Sequence, residues 1–189
     1  MRNFQLIATG LDMVPLYHSL LRQPDLWNEN RWRTTYEGTP HVDVDDIWVR
    51  YSAVEKTAKT DDLAPVQNDH GAVWYPAASK LPEVKPLVLN LMRYLDAYSV
   101  GRILITRIAP GGRILPHADV DGDYVHLDDI SRYHLIVQGL AGSMFRCGDE
   151  TVRMQTGDVW WFDAHIEHDV TNNSADDRIH LIADIRKWP

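Results

Sequence analysis

The chain has a single cysteine, Cys147, in 189 residues, which excludes an internal disulfide and any cysteine-based zinc cluster. A buried, inert thiol is the expected state of that residue. Long hydrophobic runs are missing too: none approaches the length of a membrane span. Near the start, Asp12, Pro15 and His18 interrupt any stretch that could serve as a secretory signal. The expectation is a soluble, cytoplasmic protein with no membrane partner. Positive charge is in short supply, with 19 Lys+Arg against 27 Asp+Glu, a formal charge of −8, and no basic run offsets it. Nucleic acid is therefore not an expected partner, because gripping a phosphate backbone needs clustered cations. Internal repeats and low-complexity tracts are absent, and the length suits one well-buried domain spanning 1–189.

Two kinds of pattern are present. Residues 1–100 read as a mixed α/β supporting layer. A short helix is expected over 15–21, a strand over 47–51, and a polar loop over 56–69. Val84, Leu87, Val88, Leu91 and Leu95 recur at helical spacing within 82–98, predicting a helix laid against the outside of a sheet. Trp27, Trp32 and Tyr36 are expected to anchor a long loop onto that sheet. After Gly101 the period falls to two, and candidate strands over 102–108, 132–138, 143–146, 151–154, 158–162, 168–172 and 178–185 alternate with glycine- and asparagine-rich turns. Many short strands at regular spacing imply a mainly β protein with flanking helices, and a double-sheet jelly roll over 101–186 fits best.

The chemistry concentrates in that second part. His117 and Asp119 sit in an extended segment after Pro116, so both side chains point to one side. With a distant His168 they form the pattern that places two imidazoles and one carboxylate on one face of a metal, leaving the other face open. Arg178 follows His168 by ten residues. A turn near 173–175 is expected to fold their strands into a hairpin, putting His168 and Arg178 on one face at diagonal spacing. A small dicarboxylate chelating the metal at one end could then reach the guanidinium with the other. Arg132 and His134 share a face of their own strand, and a bound anion would offset the cost of burying them. His165 has the wrong parity for a ligand and is assigned to the surface or the surroundings of the site. The acidic run from Asp119 to Asp123 fails as a calcium loop, because its glycine comes too early and position twelve is Ile130. Trp160, Trp161 and Phe162 read as sheet core.

Taken in order, Arg132-Tyr133-His134-Leu135, Met144 to Thr151, Gly157 to Asp163 and Glu167-His168-Asp169-Val170, with Arg178 ten residues on, resemble the aspartyl/asparaginyl β-hydroxylase family of iron- and 2-oxoglutarate-dependent dioxygenases. The resemblance covers about 103–186. It implies a double-stranded β-helix of the cupin-like jelly-roll type. His117 and His168 match iron ligands, Arg178 matches the arginine that pairs with the far carboxylate of 2-oxoglutarate, and Arg132 and His134 match residues of the cosubstrate pocket. Asp119 departs from animal members, which lack an acid there, and completes a triad. Residues 120–130 are longer than in those members and are expected to form a lid or specificity loop, with His126, Asp128 and Asp129 on it. The implied reaction uses Fe(II), 2-oxoglutarate and O2 to hydroxylate an unactivated carbon of an amino acid, peptide or protein. Two rivals remain open on the residues alone. One is a cupin-like metal enzyme that dispenses with 2-oxoglutarate and uses Arg178 as a structural ion-pair partner. The other is a non-catalytic jelly-roll module binding a metal or an anion.

Overall fold

A computed structural model describes residues 1–53, 72–119 and 130–188. The expected loop at 56–69 and, apart from Ile130, the expected lid at 120–130 lie outside them. Among the described residues, eleven strands form two antiparallel sheets. The larger has seven strands: β1 (Phe4–Ala8), β9 (Val159–Phe162), β6 (Ile130–Gln138), β11 (Arg178–Lys187), β4 (Ala97–Ile108), β2 (Val44–Ser52) and β3 (Ala72–Trp74), in that spatial order. The smaller has four: β5 (Arg113–His117), β10 (His168–Asn172), β7 (Ser143–Cys147) and β8 (Glu150–Val152). The α-helices among the described residues are α1 (Val14–Arg22), α2 (Trp32–Thr35), α3 (Ala77–Lys80) and α4 (Val84–Tyr94). None is long and apolar enough to cross a membrane among the described residues.

Alternation sorts the large sheet into two faces. On β6, Tyr133, Leu135 and Val137 face the helices, as do Ile179, Leu181, Ala183 and Ile185 on β11. They pack with Leu16 and Leu20 of α1 and with Val84, Val88 and Leu91 of α4, confirming that the long helix covers the outside of a sheet. Each such aliphatic side chain, once buried, contributes about 1.5–3 kcal/mol. The even positions turn inward: Phe162 and Trp160 meet Phe145, Cys147 and Val170 of the small sheet. Trp160 and Phe162 are thus core between the sheets, and Trp161 packs on the helix side. Cys147 is fully buried, and burial beside Asp163 pushes its thiol up to about 11.

Strands from the first hundred residues extend the large sheet at both edges, so they share its core. β1 was not visible in the sequence; it is recruited by tertiary contact, with Phe4 wedged edge-on against Phe145 at 5.5 Å. β5 contains Pro116, and a proline is tolerated because β5 is an edge strand with no ladder bond to lose on one side. Helix α4 ends at Tyr94, short of the expected 98, because β4 begins at Ala97; Asp96 makes the turn with φ at 52°.

One expectation fails. β10 and β11 do not form a hairpin: β10 pairs with β5 and β7, whereas β11 pairs with β4 and β6. The segment between them crosses from the small sheet to the large one. Asn172, fully buried, builds that corner: its Nδ2 donates to the carbonyls of Ile108 (2.8 Å) and Asp176 (3.0 Å), and its Oδ1 accepts from the Ser174 hydroxyl (2.6 Å) and amide (3.2 Å). These bonds satisfy backbone groups that a sheet switch leaves without ladder partners. Asn172→Ala is expected to destabilise the fold by about 3 kcal/mol, since it strands several buried polar groups. Urea titration would show it, and a loss under 1 kcal/mol would contradict the corner's role.

Candidate active site

His117 ends β5 and His168 begins β10, and the two are register partners in the small sheet. Each ring gives its Nδ1 to a backbone carbonyl two residues earlier, Leu115 at 2.8 Å and Ile166 at 2.9 Å. An imidazole held that way by Nδ1–H presents the lone pair of Nε2. Both Nε2 atoms face Asp119, whose Oδ1 lies 3.6 Å from that of His117 and 3.9 Å from that of His168. The ligand atoms of the three residues fall within 4.8 Å of one another, and this is the metal-capable group among the described residues. Two neutral nitrogens and one carboxylate on one side suit a divalent iron with open positions opposite.

Asp119 is fixed by a chain of charge. Arg132 pairs with its Oδ2 and, on the other side, donates through Nε to Asp184 at 2.8 Å. Burial alone would raise the pKa of Asp119, but the charge of Arg132, then the contact with His117, holds its carboxyl well below the usual carboxylate range. The anion that neutralises Arg132 is therefore supplied by the protein's own two carboxylates, which removes the need for a bound anion at that residue. Burial lowers His168, and Asp119 opposes the shift.

Arg178 differs. It opens β11 on the interior face, is 2% exposed, and no acidic residue pairs with it among the described residues. Its Nη2 is buried without a hydrogen-bond partner. Burial pulls its pKa down to about 9, so it remains charged at neutral pH. Phe145, on the opposite sheet, ties it to the metal-capable group: the ring lies 5.8 Å from the guanidinium carbon and 5.8 Å from the His168 ring. Arg178 and His168 thus face one another across the sandwich, where the sequence placed them side by side. His134 joins them from β6, with its Nε2 buried and partnerless and its ring between Phe145 and Phe162. Burial, then the charge of Arg178, holds it well below the ordinary histidine value.

Residues 26–187 match the sequence profile of the aspartyl/asparaginyl β-hydroxylase family. The chain belongs to that family. The match reaches well before residue 103, taking in α2, β2, β3, α3 and α4 and beginning after β1 and α1. A curated relative of this β-hydroxylase-family chain, the L-proline cis-4-hydroxylase of Rhizobium meliloti (strain 1021), is 27% identical over 130 residues, 68% of this chain and 44% of the relative, so the chain spans under half of that protein's length. Among solved structures, a Pseudomonas putida prolyl-4-hydroxylase superposes with a TM-score of 0.53 at 17% identity, covering 98% of this chain and 92% of that one. The prolyl hydroxylase from Trichoplax adhaerens, in complex with a hypoxia inducible factor oxygen degradation domain peptide fragment, gives 0.57 at 10% identity, covering 99% and 84%. These likenesses show the jelly-roll fold.

Three neighbours of this family member's site were not legible in sequence. His41 packs its ring edge-on to His117 at 5.0 Å and leaves Nδ1 buried without a partner. Asp184 grips Arg132, and His180 touches His134 at 3.0 Å. His41 lies in a segment without period, and only the register of β6 with β11 brings His180 and Asp184 to their partners. His165 lies half-exposed against Asp163 at 3.0 Å, outside the group.

Proposed function

We propose that this protein is an Fe(II)- and 2-oxoglutarate-dependent dioxygenase that hydroxylates an amino acid, free or within a peptide, at an unactivated carbon. The carrying observation is Arg178: a buried, charged guanidinium with no acid against it among the described residues, facing two histidines and a carboxylate across the Phe145 ring. Isolated buried charge is costly, and a small dianion that reaches from the metal to Arg178 would relieve it. His117, Asp119 and His168 would hold the iron, Arg178 the far carboxylate of 2-oxoglutarate, and His134 would line the same pocket. Arg132 acts at one remove, by orienting Asp119. When bound, iron with the keto acid and O2 supplies the oxidation itself, releasing succinate and CO2; the side chains supply position and exclusion of water. The rival that treats Arg178 as a structural ion-pair partner is disfavoured, since no acid among the described residues meets it.

The prolyl hydroxylases among its relatives support proline or a prolyl residue as the first substrate to try. The reading keeps the expectation of a cytoplasmic enzyme working without membrane or nucleic acid. Anaerobic protein with Fe(II) and 2-oxoglutarate is expected to develop visible charge-transfer absorption, and in air to release succinate faster when a true substrate is added. Iron bound without that absorption on adding the keto acid would sink the proposal.

A further inference from the structure

The reading above assigns His134 to the cosubstrate pocket but leaves His180 without a task. The two imidazoles sit on the interior face of neighbouring strands and approach Nδ1 to Nδ1 at 3.0 Å, rings perpendicular at 89°. Both are almost fully buried. Burial, reinforced by the charge of Arg178, holds each of them well below the ordinary histidine value, so each ring carries one N–H. A contact between two ring nitrogens at hydrogen-bond distance then holds one proton. In one arrangement His180 donates, His134 accepts at Nδ1, and the proton of His134 sits on Nε2. In the other, His134 donates and its Nε2 is a bare lone pair.

The surroundings choose between them once a dianion lies on Arg178. The Nε2 atom of His134 is buried with no partner among the described residues, and the imidazole ring lies 5.7 Å from the Phe145 ring and 5.3 Å from that of Phe162. A lone pair there would repel a carboxylate; an N–H would donate to it.

We propose that His180 is a positioning residue for the cosubstrate: it donates Nδ1–H to Nδ1 of His134 and so obliges His134 to present Nε2–H to a carboxylate of 2-oxoglutarate. The proposal rests on the hydroxylase reading. The residue acts through its neighbour and touches neither metal nor cosubstrate. Losing one hydrogen bond to a charged ligand weakens affinity by about ten-fold or more.

The test has two arms. In the first, 2-oxoglutarate is titrated into anaerobic Fe(II) enzyme and followed by its charge-transfer absorption. His180→Phe keeps a ring without nitrogen and is expected to raise the dissociation constant about ten-fold with Fe(II) affinity unchanged. His180→Asn, whose amide can take the place of Nδ1–H, is expected to restore most of it. An unchanged constant in His180→Phe, or no recovery in a folded His180→Asn, overturns the proposal. The second arm needs no variant. In Zn(II)-loaded wild-type protein saturated with 2-oxoglutarate, imidazole nitrogen-15 shifts are expected to show His134 protonated at Nε2 and His180 at Nδ1; the reverse assignment overturns it. Wild-type protein that binds iron but not 2-oxoglutarate defeats the hydroxylase reading itself, an outcome distinct from a tautomer in the wrong order.

Discussion

Arg178→Met is expected to raise the melting temperature of the ligand-free protein while weakening 2-oxoglutarate binding by about 100-fold or more. Both effects come from one fact: the guanidinium is buried with no acid against it among the described residues. Replacing an uncompensated buried charge with an apolar side chain of similar volume stabilises by about 1–3 kcal/mol, or about 2–4 °C per kcal/mol at this size. Truncating one partner of a buried charge pair loses about 2–5 kcal/mol of binding. Calorimetry and anaerobic titration would measure the two, with Fe(II) affinity as the control. An equal loss of iron and cosubstrate would contradict the assignment, as would a fall in melting temperature.

The pH dependence follows with a definite sign. Arg178 carries a folded-state pKa of about 9, below that of an exposed arginine, so between the two values the unfolded chain binds the extra proton. Stability of the ligand-free protein from this group therefore rises as pH climbs through that window. Affinity for the dianion moves the other way, level below about 9 and falling above it.

Asp119→Ala is expected to weaken Fe(II) binding by 100-fold or more. The substitution removes one of three proposed ligands and also leaves Arg132, a fixed cation, with Asp184 alone to balance it among the described residues. Asp184→Asn, which leaves all three ligands in place but loosens Arg132, is expected to lose about ten-fold, the usual scale for groups that orient a ligand. Titration with Fe(II) or Co(II) separates the two. If Asp119→Ala binds metal as the wild type does, Asp119 is a partner of Arg132 and no ligand.

How far the site could be read in advance differed by residue. The grouping of His117 and Asp119 was legible because residues two apart on an extended chain share a face whatever that chain later pairs with. The inward parity of Arg178, Arg132 and His134 was legible for the same reason, and the large sheet keeps it, with 133, 135, 179 and 181 turned to the helices. The relation of His168 to Arg178 was not. A ten-residue spacing with asparagine and serine between reads as a hairpin, yet Asn172 uses its amide to turn the chain into the other sheet. Local turn chemistry looks alike in both cases, and only the competition of whole strands for neighbours decides between them.

The sequence by itself determined the mainly β class, the outer helix α4, the face on which each candidate side chain lies, and the metal-capable residue types. Period two and helical spacing are local properties, and so is the chemistry of His and Asp. The tertiary structure alone decided which inward-facing groups meet. It gave Arg132 to Asp119 and Asp184, brought His41 against His117 and His180 against His134, and left Arg178 with no acid among the described residues. Those pairings depend on strand order and register between segments up to about eighty residues apart, which no local pattern encodes.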